Sequence, residues 1–117
     1  MNTKILFALG VAWITAISLP AQAASFDCQK AQLSAEKAVC ANRSLSDQDV
    51  KLATTFNILT HLLPMGGRDA LRDEQHVWLK QRNACGQRTA CIATAYQNRQ
   101  TQLDKLLQER VYSHGPF

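Results

Sequence analysis

The most regular feature of the chain is a helical spacing of apolar residues that begins near position 47 and continues to about position 110. Over three segments, apolar side chains recur every three or four residues, which places them on one face of an α-helix. The segments predict helices over about 47–63, 69–83 and 90–110, and Ser34 predicts the cap of a short helix through about Asn42. No segment of the exported part alternates β-branched and aromatic residues as a strand would. The pattern predicts an all-α fold: a small antiparallel bundle of three main helices, braced by the short N-terminal helix.

Helix ends are predicted from capping residues and from proline and glycine. Ser46 followed by Asp49 has the spacing of a capping box and predicts the start of the second helix at about Asp47. The stretch Pro64-Met65-Gly66-Gly67 is predicted to end that helix, and Gly86 is predicted to separate the third helix from the fourth, with Thr89 as the cap.

Each long apolar face contains polar residues, which are Asp49, Gln75, Arg82 and Arg99. A carboxylate taken out of water needs charged or hydrogen-bonded partners, so we predict that Asp49 pairs with Arg82, with Arg99 near enough to share it. The alternative role of Asp49, as a general acid or base, would need a second carboxylate or histidine at a suitable spacing, and the sequence offers none. We therefore interpret the four residues as a structural polar network.

The aromatic residues of the helical faces are Phe56, Trp78 and Tyr96. Because they lie on apolar faces, we predict that they pack in the core rather than stack on a ligand. The three histidines are scattered, and none lies four residues from another histidine or a cysteine, as a helical metal site requires. Phosphate loops, nucleophile elbows and zinc-protease helices are absent from the sequence. We expect no enzyme activity, no cofactor and no metal site.

The first 23 residues have the composition of a secretory signal peptide. Lys4 supplies the positive start, Ile5–Leu19 form an apolar run of 15 residues, and Pro20-Ala21-Gln22-Ala23 ends the run with an A-x-A cleavage site. The run is too short for a membrane-spanning helix, which needs about 20 residues. We predict cleavage after Ala23, which leaves residues 24–117 as one helical domain in the periplasm or outside the cell.

Charge and cysteine content narrow the choice of compartment and partner. The predicted mature chain has twelve basic and nine acidic residues, a net charge of +3, without the dense basic patch typical of nucleic-acid binding. All four cysteines lie in the exported part, which indicates two disulfides formed in an oxidising compartment. Four cysteines allow three connectivities, and the sequence alone does not decide between them. Proximity favours Cys28 with Cys40 and Cys85 with Cys91, because Gly86 permits a turn between the last two.

A set of motif residues lies in a fixed order along the chain: Phe26-Asp27-Cys28, Glu36, Cys40, Leu45, Asp49, Glu74-Gln75, Trp78-Leu79, Arg82-Asn83-Ala84-Cys85, Cys91, Tyr96 and Arg99. The most specific stretch is the segment 75–85, which places a glutamine, a Trp-Leu pair, an arginine and a cysteine at fixed intervals. This ordered set resembles the lysozyme inhibitor LprI N-terminal domain family, whose members are small exported or lipid-anchored bacterial proteins. The chain departs from the pattern at Phe56, often tyrosine in the family, at His76, commonly arginine, and at Gln100, often aliphatic.

The resemblance implies a protein that binds and blocks a lysozyme or a related cell-wall hydrolase. The motif residues form the scaffold, so a partner must meet outer faces or loops. The candidate contact is the glycine-containing connection before the third helix and the acidic start of that helix: Met65, Gly66, Gly67, Asp69 and Asp73. The alternative for the two glycines is that they only permit the reversal between helices. The alternative function is a periplasmic accessory or immunity-type protein that binds another bacterial protein without inhibiting lysozyme.

Overall fold

The computed structural model describes residues 24–114, so the predicted signal peptide at residues 1–23 lies outside the described part. Its four α-helices are α1 (Ser34–Ala41), α2 (Arg43–Leu62), α3 (Met65–Ala84) and α4 (Thr89–Arg110), with 3-10 helices at Cys28–Lys30 and Tyr112–His114. No strand occurs between residues 24 and 114. The all-α prediction and the division into three long helices and a short one are therefore confirmed.

The segment that precedes α1 is fastened to the bundle by a disulfide. Cys28 in the first 3-10 helix is bonded to Cys40 in α1, with 5.8 Å between their Cα atoms. Asp27 caps the 3-10 helix by accepting a 2.9 Å hydrogen bond from the amide of Gln29. α1 begins at Ser34, and Glu36 accepts hydrogen bonds from the two amides just before the helix, so Ser34 is not its cap.

A single residue, Asn42, separates α1 from α2. Its side-chain oxygen accepts a 3.2 Å hydrogen bond from the amide of Leu45 and caps α2, which begins at Arg43 rather than at about Asp47. The predicted capping box is wrong because both of its residues make tertiary contacts. Ser46 donates a 2.6 Å hydrogen bond to the carbonyl of Val39, and the Asp49 carboxylate is occupied elsewhere in the core. Asparagine caps helices as well as serine does. Because the Ser46 hydroxyl is taken up by its hydrogen bond to the Val39 carbonyl, Asn42 is the cap of α2.

The connection between α2 and α3 is shorter than the sequence predicted. Only Leu63 and Pro64 lie between the helices, because proline forces the preceding residue into extended backbone (Leu63 ψ 145°) and suits a helix start itself. Met65, Gly66 and Gly67 form the first turn of α3 instead of a flexible loop, and neither glycine has a positive φ. The expectation that these glycines form or permit the reversal is therefore wrong.

The turn between α3 and α4 does depend on a glycine. Gly86 has φ 59°, a left-handed conformation that side chains with a Cβ rarely adopt, and it follows the last residues of α3. Cys85 and Cys91 flank the turn and are bonded, with 5.6 Å between their Cα atoms. Both predicted disulfides are thus confirmed.

The core lies between α2, α3 and α4, with α1 packed across α2 and α3. α4 packs most extensively on α2, and its Ile92, Tyr96 and Leu103 are fully buried. Leu59 of α2 and Leu71 of α3 complete the centre of the core. Trp78 is buried, whereas Phe56 is half-buried and packs against the outside of this cluster.

Candidate functional site

The core contains a buried polar network around Asp49. One oxygen of its carboxylate, Oδ1, accepts a 2.8 Å hydrogen bond from the hydroxyl of Tyr96, and the other, Oδ2, accepts a 2.7 Å bond from the amide of Ser25. Arg82 Nη1 lies 3.9 Å from Oδ1, which is an ion pair beyond hydrogen-bonding distance. The tyrosine hydroxyl therefore bridges the acid and the arginine.

All three guanidinium nitrogens of Arg82 have acceptors. Nη1 donates to the Tyr96 hydroxyl at 3.0 Å, while Nε and Nη2 both donate to the side-chain oxygen of Asn83, at 3.1 and 2.8 Å. The guanidinium carbon lies 5.8 Å and 5.9 Å from the ring centroids of Trp78 and Tyr96, close enough for cation–π attraction. Trp78 donates its indole N–H to the carbonyl of Ala95 at 3.0 Å. This network is neutral overall and satisfied, as a structural network should be.

Burial is the main cause that raises the pKa of Tyr96 above its ordinary value. The neighbouring Asp49 carboxylate raises the pKa further, whereas the Arg82 guanidinium lowers it in part. The hydroxyl thus stays protonated and remains a donor to Asp49 at any physiological pH.

This raised pKa predicts a loss of stability in alkali. Unfolded tyrosine releases its proton near pH 10, whereas folded Tyr96 keeps its proton. Loss of the proton therefore stabilises the unfolded state above pH 10, and the full stabilisation of the folded state by Tyr96 is present only below that pH. The stability advantage of the wild type over Tyr96→Phe should therefore stay constant at lower pH and shrink above pH 10 by up to about 1.4 kcal/mol per pH unit. Urea unfolding at pH 8 and pH 11 measures it. Tyr112→Phe, at an exposed tyrosine, is the control, and a Tyr96→Phe difference that does not change with pH would contradict the prediction.

Arg99 lies in a second, separate network between α3 and α4. Its Nε donates to the Gln75 side chain at 3.0 Å, and its Nη1 donates to the Gln102 side chain at 3.1 Å. The charged partner is Glu74, 3.5 Å from Nη1. Arg99 thus does not share the Asp49 carboxylate as expected, because it projects toward α3 while Asp49 lies on α2. The four predicted polar residues form two networks instead of one.

The second network borders a cleft between α3 and α4 with a volume of about 930 Å³. Its apolar lining comes from both helices and includes Leu71, Val77, Trp78, Leu103 and Leu106. Polar and charged residues complete the lining, namely Asp73, Glu74, Gln81, Asn98, Arg99, Gln102, Lys105 and Glu109.

Of the candidate contact residues, Asp73 alone lines this cleft. Met65 is 75% exposed at the start of α3, and Asp69 is exposed and pairs with Arg72 at 3.8 Å. The five candidate residues therefore share the first half of α3 without forming one cluster. Between residues 24 and 114, no group of three His, Cys, Asp or Glu side chains is arranged to hold a metal ion.

Sequence reasoning missed several members of the two networks: Ser25, Asn83, Gln102 and the hydroxyl of Tyr96. The role of the Tyr96 hydroxyl could have been predicted, because the residue lies at the centre of an apolar face and a buried hydroxyl needs a hydrogen-bond partner. Ser25 contributes through its backbone amide, for which a side-chain pattern carries no signal.

The comparisons with known proteins agree with this scaffold. A family model described as lysozyme inhibitor LprI matches residues 28–112, which include both disulfides and all four α-helices. The chain belongs to the LprI family. The description of this family names an inhibitor of lysozyme.

Relatives in the LprI family include the proteins named lipoprotein LprI of Mycobacterium bovis and of two Mycobacterium tuberculosis strains. Each is 33% identical over 87 residues, which cover 72% of this chain and 43% of the relative. The chain therefore spans less than half the length of these LprI relatives. No solved structure matches it significantly. Within residues 24–114, no helix has both the length and the apolar character to span a membrane.

Proposed function

We propose that the protein is an exported binding protein that blocks a lysozyme or a related cell-wall hydrolase. The observation that carries the proposal is the LprI family match across residues 28–112, the whole four-helix unit. Membership in the family does not by itself locate an inhibitory surface, so the proposal depends on a face of the bundle that contacts the hydrolase.

The internal chemistry supports a binding role over catalysis. The Asp49 carboxylate is enclosed by the Tyr96 hydroxyl, the Ser25 amide and Arg82, and each of these contacts lies inside the bundle. A general acid or base must reach a substrate proton, which an enclosed carboxylate does not do. We therefore assign Asp49 and Arg82 to the scaffold and propose no enzyme activity.

The proposed location is the periplasm, after removal of residues 1–23. Two disulfides indicate an oxidising compartment, where such bonds form and persist. Cell-wall hydrolases act in the same compartment, so the proposed inhibitor and its target would meet there.

The test uses purified residues 24–117 with an animal-type lysozyme and a suspension of bacterial cell walls. Lysis lowers the turbidity of the suspension, and equimolar inhibitor is expected to slow that fall at least tenfold if the dissociation constant is well below the protein concentration. The same domain with its disulfides reduced and alkylated is the control. Unchanged lysis at a large excess of inhibitor, together with no co-elution on size exclusion, would reject lysozyme as the target.

One observation favours the alternative of a different bacterial protein as partner. The predicted mature chain has a net charge of +3, and animal lysozymes are strongly basic, so long-range attraction would not steer the two together. An accessory or immunity-type protein needs no such attraction. Capture of an acidic periplasmic protein, without any effect on lysozyme, would favour this alternative.

A further inference from the structure

The first described residue, Ala24, lies in the core. It is 5% exposed and belongs to the buried hydrophobic cluster, although it would be the first residue of the chain after cleavage at the predicted site. Chain termini are usually poorly ordered unless specific contacts hold them. The buried position of Ala24 therefore requires contacts that outweigh the entropy lost when the end of the chain is ordered.

Three contacts hold the residues that follow this buried alanine. The Ser25 amide donates a 2.7 Å hydrogen bond to Asp49 Oδ2, Phe26 packs against the core cluster, and Cys28 is bonded to Cys40 of α1. These contacts fix the backbone within one residue of the predicted cleavage point. The terminus that cleavage creates therefore has a defined place in the fold.

Covalent geometry limits the distance between the new terminus and Asp49. Three bonds with a summed length of about 4.3 Å separate the Ala24 and Ser25 nitrogens, so the Ala24 nitrogen lies within about 7 Å of Asp49 Oδ2. Opposite charges at such a distance attract each other, and more strongly where water is partly excluded. Between residues 24 and 114, the Ala24 nitrogen has no hydrogen-bond acceptor that would compete with the carboxylate.

Asp49 can accept another donor on the oxygen that faces this segment. Oδ1 accepts from the Tyr96 hydroxyl and lies 3.9 Å from Arg82 Nη1. Among the described residues, Oδ2 accepts only from the Ser25 amide, whereas a carboxylate oxygen has two lone pairs. The guanidinium of Arg82 donates to Tyr96 and Asn83 instead. A further N–H donor can therefore approach Oδ2 without displacing an existing contact.

Cleavage changes the chemistry of the Ala24 nitrogen. In the uncut chain this nitrogen is an uncharged amide with one N–H, whereas cleavage after Ala23 turns it into a primary amine that is mostly protonated at neutral pH and has three N–H donors. Ser25 is exposed, so the segment lies at the rim of the core, where an ammonium keeps part of its hydration. One N–H can therefore meet Asp49 while the others meet water.

From these observations we infer that the α-ammonium group created by cleavage after Ala23 forms an ion pair with Asp49 Oδ2. The inference rests on the proposed removal of residues 1–23 and goes beyond the proposed inhibition of a hydrolase. Asp49 then stands between two positive charges, the ammonium on the Oδ2 side and Arg82 on the Oδ1 side. Maturation adds a charged contact that the uncut chain lacks, so the scaffold reaches its full stability only after processing.

The experiment compares chains that differ only at the N-terminus. The full chain is exported by a bacterium, and the intact mass of the product should match residues 24–117 with two disulfides. This product is compared, by urea unfolding at about pH 6.5, where an α-amine is protonated, with the same chain acetylated on the Ala24 nitrogen. Acetylation should lower the folding equilibrium constant at least about fivefold, because it replaces the charged donor by a neutral amide. The matched control is a chain that begins at Gln22, where acetylation should change the constant less than about twofold, since that amine lies two residues farther from Asp49.

Two further measurements test the partner of the ammonium. Asp49→Asn keeps an oxygen acceptor but removes the negative charge, so acetylation of Ala24 should change the equilibrium constant of this variant less than about twofold. If Asp49→Asn does not fold, the reactivity of the α-amine in the folded wild type still decides the case. The ion pair favours the protonated amine, so acetic anhydride should modify it at least about tenfold more slowly than the amine of the chain that begins at Gln22.

The outcomes separate this contact from the proposed function. A mature chain that starts at a residue other than Ala24 overturns the contact, and so does acetylation that leaves the stability unchanged. An α-amine that reacts as fast as that of the Gln22 chain also overturns it. Equal effects of acetylation on the wild type and on Asp49→Asn would assign the loss to crowding by the acetyl group and reject the ion pair. No hydrolase takes part in these measurements, so the turbidity assay tests the inhibition of lysozyme independently.

Discussion

Replacing Asp49 with alanine is expected to lower the free energy of unfolding by about 3–5 kcal/mol. The substitution leaves Arg82 buried without its counter-ion and removes the acceptor of both the Tyr96 hydroxyl and the Ser25 amide. Urea unfolding followed by circular dichroism measures the loss. Asp47→Ala, at an exposed position two residues earlier in α2, is the matched control and should change stability by less than about 0.5 kcal/mol.

A double-mutant cycle identifies the origin of that loss. Arg82→Met removes the buried charge that Asp49→Ala leaves unpaired, so the double variant should lose less stability than the sum of the single variants. Because Tyr96 lies between the two charges, part of the coupling should also disappear in a Tyr96→Phe background. Strictly additive losses for Asp49→Ala and Arg82→Met would show that the two residues are not partners.

Loss of the Cys28–Cys40 disulfide is expected to cost about 3 kcal/mol in the chain-entropy model, since the bonded cysteines are 12 residues apart. The Cys28→Ala/Cys40→Ala variant should also release the N-terminal segment, so the hydrogen exchange of the Ser25 amide should become faster. Urea unfolding and exchange followed by nuclear magnetic resonance measure the two effects. The exchange should become faster because this disulfide holds the N-terminal segment, whose Ser25 amide donates a hydrogen bond to Asp49.

The second disulfide provides the internal control. Cys85 and Cys91 are six residues apart at the α3–α4 turn, so their Ala variant should lose about 2 kcal/mol of closure entropy, plus the packing of buried Cys85. It should leave the Ser25 amide protected, because the turn lies outside the N-terminal segment. Equal exchange of that amide in both variants would refute the assigned role of the Cys28–Cys40 bond.

The helices and most of the core could be predicted because apolar spacing of 3.6 residues directly marks the buried face. Leu59, Ile92 and Leu103 all come from such faces and are fully buried. The face does not specify which neighbouring helix a side chain meets. Arg99 and Tyr96 lie three residues apart on α4, yet Arg99 meets Gln75 of α3 while Tyr96 meets Asp49 of α2.

Helix ends were less predictable because several residues compete for the same role. Asn42 and Ser46 are both good caps, and the choice was made by the tertiary hydrogen bond from Ser46 to the Val39 carbonyl. At the other end of α2, a helix-breaking pair of glycines was outweighed by Pro64, which fixes the turn itself. The cleft was not predictable, because its shape depends on the distance between α3 and α4 rather than on the sequence of either helix alone.

The one-residue junction at Asn42 couples the rotational phase of α1 to that of α2. Inserting one residue there would turn α1 by about 100° about its axis relative to α2. That rotation would carry Val39 out of the core and separate its carbonyl from Ser46, while Cys40 would swing away from Cys28. Insertions and deletions among natural relatives should therefore be rare at this junction. They should accumulate at connections that do not fix the rotation of one helix relative to the next.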